Sequence, residues 1–466
     1  MTSDIRHISE PSACSTASTI VERRELSMDD DSLKTPQTLP PVIPPTHQNR
    51  TLVLCFDGTG DQFDDDNSNV VQFVSLLKND DRYKQLVYYQ TGIGTYTAKD
   101  RTVSERMSQI HKLLDSMFAR TIDAHIMGGY KFLMQNYKPG DKICIFGFSR
   151  GAYTARCLAG MLHKVGLLPP SNSEQVPFAY TIYRRVDGHG WDQANEFKRA
   201  FSINVDIEFL GVWDTVGSIG FARDELPFST SDTFIGTYRH AISLDERRAK
   251  FQANQWNKPN SVEVKLGTPS TRDRLPTDIK EVWFAGCHSD VGGGSVRNRT
   301  RHSLAKIPLR WMVREIFKAK AGILFLTDRL YEIGLDPSTI YPEVLIRPVP
   351  LSAEEHNEKH KIRKRSREEM PFRHSISRSK LPITRVSGQP ATGPNVMPLT
   401  EEHEELMDAL SPIYDQMKIK KWWWLLEYIP VPLRRSMKLN YVVPGSTVAI
   451  HVLPRPGQKN HWFTEV

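Results

Sequence analysis

Short apolar runs alternate with amphipathic stretches between residues 50 and 345. Apolar runs that end in turn residues are typical of buried strands, and apolar positions at helical spacing are typical of helices that cover a sheet. Strands are predicted in TLVLCF (51–56), KQLVYYQTGIG (84–94) and KICIF (142–146), and at the start of 205–217 and 278–294. Helices are predicted in NVVQFVSLL (69–77), in 110–137 with a candidate break at Gly128-Gly129, in 149–166, and from near Pro308 in 303–322. This alternation predicts an α/β fold with a mostly parallel sheet and helices on both faces.

Polar segments flank and interrupt this region. Residues 1–48 are rich in Ser, Thr and Pro and are predicted to be a disordered N-terminal tail, with order beginning at Thr51. Residues 352–398 are predicted to be a disordered basic and polar insertion, because 354–380 holds nine Lys/Arg against five Asp/Glu and few apolar residues. Residues 399–466 form a C-terminal segment with a Trp-rich amphipathic stretch that we expect to pack on the 50–345 domain.

Charge and cysteine usage narrow the class of protein. The chain has 61 Lys/Arg against 54 Asp/Glu, a mild excess without the clustering expected of a nucleic-acid binder, so no nucleic-acid partner is expected. No apolar run reaches the about 18 residues of a transmembrane helix, and the first residues lack the apolar core of a secretory signal. The five cysteines are odd in number and form no CxxC pair, which argues against a disulfide scaffold and a zinc ribbon and predicts a reducing, intracellular, cytoplasmic setting. No metal or cofactor is expected.

The pentapeptide Gly147-Phe148-Ser149-Arg150-Gly151 is the strongest chemical feature. It directly follows an apolar strand pattern and opens a helix, which is the context of a nucleophile elbow. Small residues on both sides of the serine allow its strained backbone and the close approach of helix to strand. Ser149 is therefore the candidate nucleophile, and the N–H of Arg150 is a candidate oxyanion donor.

A serine nucleophile needs a base and an acid that orients the base. Asp214 and His288 follow two later strands, in the Ser–acid–His order of α/β-hydrolases, and His288 is expected to open a flexible loop. His240 is a weaker candidate base because it is predicted at a helix start, and His163 is expected to point away from Ser149. Asp290 could replace Asp214 as the orienting acid or shape the glycine loop that follows it.

The first strand ends in Asp57-Gly58-Thr59-Gly60, whose glycines allow backbone N–H groups to approach an oxyanion. The second oxyanion donor is therefore predicted at Gly58 or Thr59, with Asp57 orienting the loop. A rival interpretation is a metal-dependent phosphohydrolase with Asp57 as nucleophile, but the second Asp expected two positions later is replaced by Thr59. The following acidic residues could bind a cation, although an exposed loop is favoured; they are Asp61, Asp64, Asp65 and Asp66.

Four motifs in this order resemble a known family: FDGTG (56–60), GFSRGAYTAR (147–156), GVWDTVGS (211–218) and HSDVGGG (288–294). The family is the uncharacterised α/β-hydrolase-like family that includes the catalytic domain of bacterial type VI secretion phospholipase effectors. The resemblance covers roughly residues 50–345 and implies an α/β-hydrolase-like catalytic domain there. It also implies a Ser149–Asp214–His288 triad and a serine esterase that cleaves a phospholipid or another lipid ester.

The stretch KIKKWWWLLEYIPVPLRR (418–435) places Trp422, Trp423 and Trp424 between basic residues. This pattern fits either peripheral membrane contact or an amphipathic helix docked with its tryptophans inward. A non-catalytic alternative for the whole chain also stays open. In that case the protein is a scaffold with a hydrolase-like sheet, and the basic insertion and the C-terminal segment are its functional parts.

Overall fold

A computed structural model of the chain describes residues 39–46, 48–59, 61–92, 107–216, 226–229, 235–256, 276–348, 351, 400–420, 423–424 and 447–451. The strands are β1 (Val42–Ile43), β2 (Thr51–Phe56), β3 (Gln85–Gln90), β4 (Lys142–Phe148), β5 (Ile207–Trp213), β6 (Ile235–Ser243), β7 (Asp278–Phe284), β8 (Phe325–Leu326) and β9 (Thr447–His451). The helices are α1 (Asn69–Leu76), α2 (Met107–Asn136), α3 (Ser149–Val165), α4 (Val176–Arg184), α5 (Gly188–Phe201), α6 (His288–Gly292), α7 (Lys306–Lys318), α8 (Thr327–Glu332), α9 (Glu401–Ala409) and α10 (Gln416–Ile419). Short 3₁₀ turns lie at Ser173–Gln175, Ala249–Phe251 and Pro337–Thr339.

The main sheet has seven described strands in the order β3-β2-β4-β5-β6-β7-β9, and every neighbouring pair is parallel. All six residues of β2 are buried, as expected for a strand covered on both faces. Leu52 and Leu54 of β2 face a core shared with α2 to α5, whereas Val53 and Cys55 face a core shared with α1, α7 and α8. The α/β-hydrolase-like fold, with a parallel sheet and helices on both faces, is therefore confirmed.

The chain changes direction in the sheet after β3. It runs from β2 to β3 at one edge and then returns to place β4 on the other side of β2. The loops that follow β2 and β4 therefore leave adjacent strand ends toward opposite faces of the sheet. Such a switch point is where open parallel sheets bind ligands.

Several element predictions differ from the structure. Order begins earlier than Thr51, because β1 pairs with β8 and Ile43 is fully buried. Helix α2 continues through Gly128-Gly129, where a Cβ on Gly129 would lie 2.6 Å from the Phe56 ring; this glycine allows close packing and does not break the helix. His240 lies within β6, not at a helix start. Helices α4 and α5 and strand β9 were not predicted, and residues 1–38 and 352–398 lie outside the described residues.

Ion pairs attach α9 to α7. Arg310 and Asp408 are almost fully buried and form an ion pair with an N–O distance of 2.7 Å, and the Asp408 carboxylate also accepts from Ser303 N at 3.0 Å. Arg314 pairs with Glu401 at 2.5 Å. The start of the C-terminal segment is thus held on the domain by buried charges. Among the residues the structure describes, no helix has both the length and the apolar character to cross a membrane.

Replacing Asp408 with Ala should destabilise the protein strongly, because it leaves the buried Arg310 charge without its carboxylate. We expect a loss of about 3–5 kcal/mol in the free energy of unfolding, measured by urea titration. The matched control is Glu332→Ala, which breaks the exposed Arg329–Glu332 pair and should cost less than about 1 kcal/mol. Equal losses of unfolding free energy for the two variants would contradict a stabilising role of the buried Arg310–Asp408 ion pair.

Candidate active site

The structure brings Ser149, His288 and Asp214 together at the carboxyl ends of β4, β7 and β5. Ser149 Oγ lies 2.8 Å from His288 Nε2, and His288 Nδ1 lies 2.6 Å from Asp214 Oδ2. A carboxylate only accepts hydrogen bonds, so Nδ1 carries the proton and Nε2 accepts from the serine hydroxyl. All three side chains are buried, with at most 5% of each residue exposed.

A sharp turn presents the Ser149 hydroxyl. Its φ of 57° lies in the left-handed region, a strain of about 1–3 kcal/mol for a residue with a side chain, and α3 begins at this residue. A Cβ on Gly147 would lie 2.6 Å from the Gly151 carbonyl oxygen, and one on Gly151 would lie 2.3 Å from the carbonyl oxygens of Phe56 and Asp57. The small residues of the GxSxG pattern are therefore required by close backbone contacts. The N-terminus of α3 also favours negative charge beside the hydroxyl.

Asp214 is held by the neighbouring strand. It follows β5 with a φ of 38°, and its Oδ1 and Oδ2 accept hydrogen bonds from Ser243 N at 2.8 Å and Ser243 Oγ at 2.9 Å. Because β5 and β6 are parallel neighbours, the end of β6 lies beside the turn that follows β5. Ser243 thus fixes the carboxylate that contacts His288.

His240, the rival base, supports the same turn from within β6. Its Nε2 accepts from Thr215 N at 3.1 Å, so its Nδ1 carries the proton and donates to Glu281 at 2.9 Å. Both ring nitrogens are therefore engaged away from Ser149. The other rival, His163, lies in the last turn of α3 and packs edge-on against Phe228 with ring centroids 4.9 Å apart.

His288 is the first residue of α6, so the prediction of a flexible loop is wrong. Its backbone N–H donates to Glu246 at 3.2 Å, and its ring lies between Phe148 and Phe251, with centroids 4.7 and 4.9 Å away. Asp290 does not orient this ring. Its Oδ2 accepts from Cys287 N and Tyr414 N, each at 3.0 Å, which ties the start of α6 to the C-terminal segment, and burial raises the pKa of Asp290.

The His288 ring packs against a group of stacked side chains, which consists of Phe251, Arg248 and, from the C-terminal segment, Trp423. The Arg248 guanidinium carbon lies 3.6 Å from the Phe251 ring centroid and 4.7 Å from that of Trp423. The same guanidinium pairs with Glu246, the carboxylate that accepts from the His288 backbone. Of the three predicted tryptophans, Trp423 therefore packs toward the site, Trp424 is 49% exposed, and Trp422 lies outside the described residues.

Asp57 organises the loop after β2. Its Oδ1 accepts from Gly58 N at 2.8 Å and Ser68 Oγ at 2.6 Å, and its Oδ2 accepts from Tyr89 Oη at 2.7 Å. Burial raises the pKa of Asp57, and these hydrogen bonds oppose that shift. With both oxygens engaged, Asp57 fits the predicted loop-orienting role and disfavours the phosphohydrolase interpretation.

The same contacts narrow the predicted oxyanion donors. The Gly58 amide already donates to Asp57, so it is disfavoured as a donor to substrate. Thr59 follows it, and the Thr59 hydroxyl is buried without a hydrogen-bond partner among the described residues. Arg150 lies in the first turn of α3, at the end of the helix that favours negative charge. Arg150 and Thr59 therefore stay as the candidate donors.

The acidic loop is mostly exposed, as favoured from the sequence, since Asp64, Asp65 and Asp66 are exposed. Asp61 is less exposed, and burial, with the charges of Asp57 and other nearby carboxylates, raises its pKa to about 8. Within the described ranges, no group of three or more His, Cys, Asp or Glu residues is arranged to hold a metal ion.

Sequence reasoning missed four residues that contact Asp214, His288 or Asp290: Ser243, Glu246, Phe251 and Tyr414. The one available signal was the position of Ser243 in TYRHAIS, which reads as a strand end once β6 is recognised. The other three make contacts between distant parts of the chain, which carry no local pattern.

Comparison with known proteins gives one family. Residues 50–315, more than half of the 466-residue chain, match the family described as "T6SS, Phospholipase effector Tle1-like, catalytic domain". This match confirms the resemblance inferred from the four motifs. A Saccharomyces cerevisiae protein described as uncharacterized protein YEL023C is 41% identical over 229 residues, which are 45% of this chain and 33% of the yeast protein. The chain thus spans about a third of the length of that relative.

Two solved structures show weaker similarity. An uncharacterized protein from Pseudomonas aeruginosa has a TM-score of 0.34 and 19% identity, covering 64% of this chain and 49% of its own. The Tle1 effector bound to the VgrG spike of the type VI secretion system has a TM-score of 0.27 and 17% identity, covering 54% of this chain and 52% of its own.

Replacing Ser243 with Ala should weaken the orientation of Asp214 without removing a triad residue. Without the Ser243 Oγ hydrogen bond, Ser243 N alone holds the Asp214 carboxylate from β6, so the carboxylate is less firmly aimed at His288 Nδ1. We expect kcat/KM for an ester to fall about tenfold, mainly through kcat, since a hydrogen bond to a charged group is worth about 1.5–3 kcal/mol.

The control for Ser243→Ala is Thr51→Val, which removes another buried hydroxyl bond, to Gly322 O at 2.7 Å, at the opposite end of the sheet. It should lower stability and leave kcat in place. A kcat of Ser243→Ala equal to that of the unmodified protein would show that Ser243 has only a structural role.

Replacing Asp61 with Asn should stabilise the protein increasingly as pH rises. Asp61 ionises near 3.8 when unfolded and only at about 8 when folded, so folding takes up a proton between these values. Stability is therefore lost as pH rises from about 4 to about 8, and Asn, which does not ionise, avoids that loss. The gain in melting temperature of Asp61→Asn should grow over this range, whereas the exposed control Asp65→Asn should show little change. A gain independent of pH would contradict the raised pKa of Asp61.

Proposed function

Because the chain belongs to the Tle1-like phospholipase effector catalytic-domain family of the type VI secretion system, we propose that it hydrolyses an ester bond of a phospholipid or related lipid with Ser149 as nucleophile. The observation that carries this proposal is the continuous relay from Asp214 through His288 to Ser149, with distances of 2.6 and 2.8 Å. The family supports lipid ester hydrolysis, and the relay supports a serine mechanism.

In the first half-reaction, Ser149 Oγ attacks the ester carbonyl carbon and His288 Nε2 takes the hydroxyl proton. Nε2 is the acceptor of the serine hydrogen bond, so this transfer needs no change of tautomer. Asp214 stabilises the resulting imidazolium through Nδ1. Ser243 holds the carboxylate, which keeps the ring aimed at the serine during the transfer.

The negative charge then develops on the former carbonyl oxygen. The N-terminus of α3, with the backbone N–H of Arg150, and the backbone N–H or hydroxyl of Thr59 are the donors that we assign to it. Collapse of the tetrahedral intermediate breaks the bond to the alcohol oxygen, which takes the proton from His288. Water, activated by the same Nε2, hydrolyses the acyl–serine ester and restores the hydroxyl.

Replacing Ser149 with Ala should abolish ester hydrolysis, with a loss of about 10⁴-fold or more in kcat, as in other triad knockouts. A fluorophosphonate probe should label Ser149 in the unmodified protein and should label neither Ser149→Ala nor any other residue. Hydrolysis is measured on phospholipid and short-chain esters, and labelling is located by peptide mass spectrometry.

The control is Ser75→Ala, which changes an exposed serine of α1 and should keep both activity and labelling. Circular dichroism should show an unchanged fold for both variants. Full hydrolysis by Ser149→Ala would contradict the assignment. Absence of any labelling and any turnover in the unmodified protein would favour a non-catalytic scaffold.

A further inference from the structure

Between residues 418 and 424, the described part of the C-terminal segment exposes apolar and basic side chains. Ile419 and Trp424 are 55% and 49% exposed, the Lys418 side chain is 79% exposed, and Lys420 is exposed. We call Lys418, Ile419, Lys420 and Trp424 the tryptophan surface. A large aromatic ring beside cations is typical of side chains that lie at a boundary between an apolar phase and water.

The tryptophan surface is fixed to the domain through the buried residue Met417 and through Asp415. Met417 is buried, and its carbonyl accepts from Trp424 Nε1 at 3.2 Å, so the indole N–H is satisfied while the ring stays half exposed. Asp415 accepts from Met417 N at 3.0 Å and pairs with Arg247. The exposed ring is therefore held in place by contacts within the chain.

The same segment reaches the predicted catalytic base. The Trp423 ring packs edge-on against Phe251 with centroids 5.7 Å apart, and Phe251 packs edge-on against His288 at 4.9 Å. Arg248 lies against both Phe251 and Trp423. Trp423 thus connects the tryptophan surface to the catalytic side of the sheet through a single aromatic layer.

We propose that the tryptophan surface docks the protein on an anionic phospholipid surface beside its ester-cleaving site. This proposal rests on the proposed function, because a lipid substrate is presented at such a surface. Lys418 and Lys420 complement anionic head groups, and Asp415, whose carboxylate lies 3.9 Å from Lys418 Nζ, is already paired with Arg247. Two exposed apolar side chains are too few for a stable protein interface, which buries about 800 Å² per partner, so a lipid surface is the better fit.

The test is vesicle flotation of the full chain carrying Ser149→Ala, so that the vesicles are not hydrolysed. Vesicles of equal parts phosphatidylcholine and phosphatidylserine should float the protein, and vesicles of phosphatidylcholine alone should float much less. Adding Lys418→Gln and Lys420→Gln should lower the binding constant by about fivefold for each lysine. Adding Ile419→Ser and Trp424→Ser should lower it about tenfold.

Matched controls are Phe201→Ser, an aromatic residue of α5 that is 50% exposed, and Lys84→Gln, whose side chain is 56% exposed. Both should bind as the Ser149→Ala parent does. A second measurement guards against misfolding: lipids with brominated acyl chains should quench tryptophan fluorescence, and Trp424→Phe should reduce that quenching. No flotation of the parent, or equal flotation of the tryptophan-surface variants, would overturn the proposal.

Flotation needs no turnover, so its result is separate from that of the ester hydrolysis test. A protein that hydrolyses a short-chain ester but does not float refutes only the docking surface. A protein that floats through this surface but carries no reactive Ser149 refutes only the proposed function.

Discussion

The hydrogen bond between Ser149 Oγ and His288 Nε2 depends on a strained turn that presents the Ser149 hydroxyl at the carboxyl end of the sheet, where His288 also lies. The turn needs glycine at positions 147 and 151, because a Cβ at either position would collide with backbone atoms. The strain of about 1–3 kcal/mol is offset by the two buried cores on either side of β4, one of which includes α3. Packing of the sheet and helices thus maintains the left-handed backbone of Ser149, which an isolated turn would not keep.

Each residue of the relay is fixed by an element remote from it in the chain. Ser243 at the end of β6 holds Asp214, and Glu246 holds the backbone of His288. Asp290 links the start of α6 to Tyr414 of the C-terminal segment, which is itself held by the Arg310–Asp408 ion pair. The C-terminal segment therefore helps to position His288. Tyr414 and Asp408 lie outside the 50–315 family region, so the support for His288 extends beyond that region.

The sequence predicted the elements whose patterns are local. The GxSxG turn, the strand before it and the candidates Asp214 and His288 all follow from short motifs at strand ends. Strand β6 was hidden because Arg239 and His240 interrupt its apolar pattern, and their partners Glu315 and Glu281 lie far along the chain. Strand β1 was hidden in a proline-rich stretch that reads as a spacer. The sequence predicted the Gly58 amide as an oxyanion donor because the hydrogen bond from this amide to the Asp57 side chain has no recognisable sequence pattern.

The most direct test of the relay is the rate at which a fluorophosphonate modifies Ser149 in the unmodified protein and in His288→Ala, followed by intact-protein and peptide mass spectrometry. If His288 activates the hydroxyl, modification of the unmodified protein should be confined to Ser149 and should nearly vanish in His288→Ala. Equal rates in the two proteins, or modification at another residue, would contradict the relay and the hydrolase assignment with it.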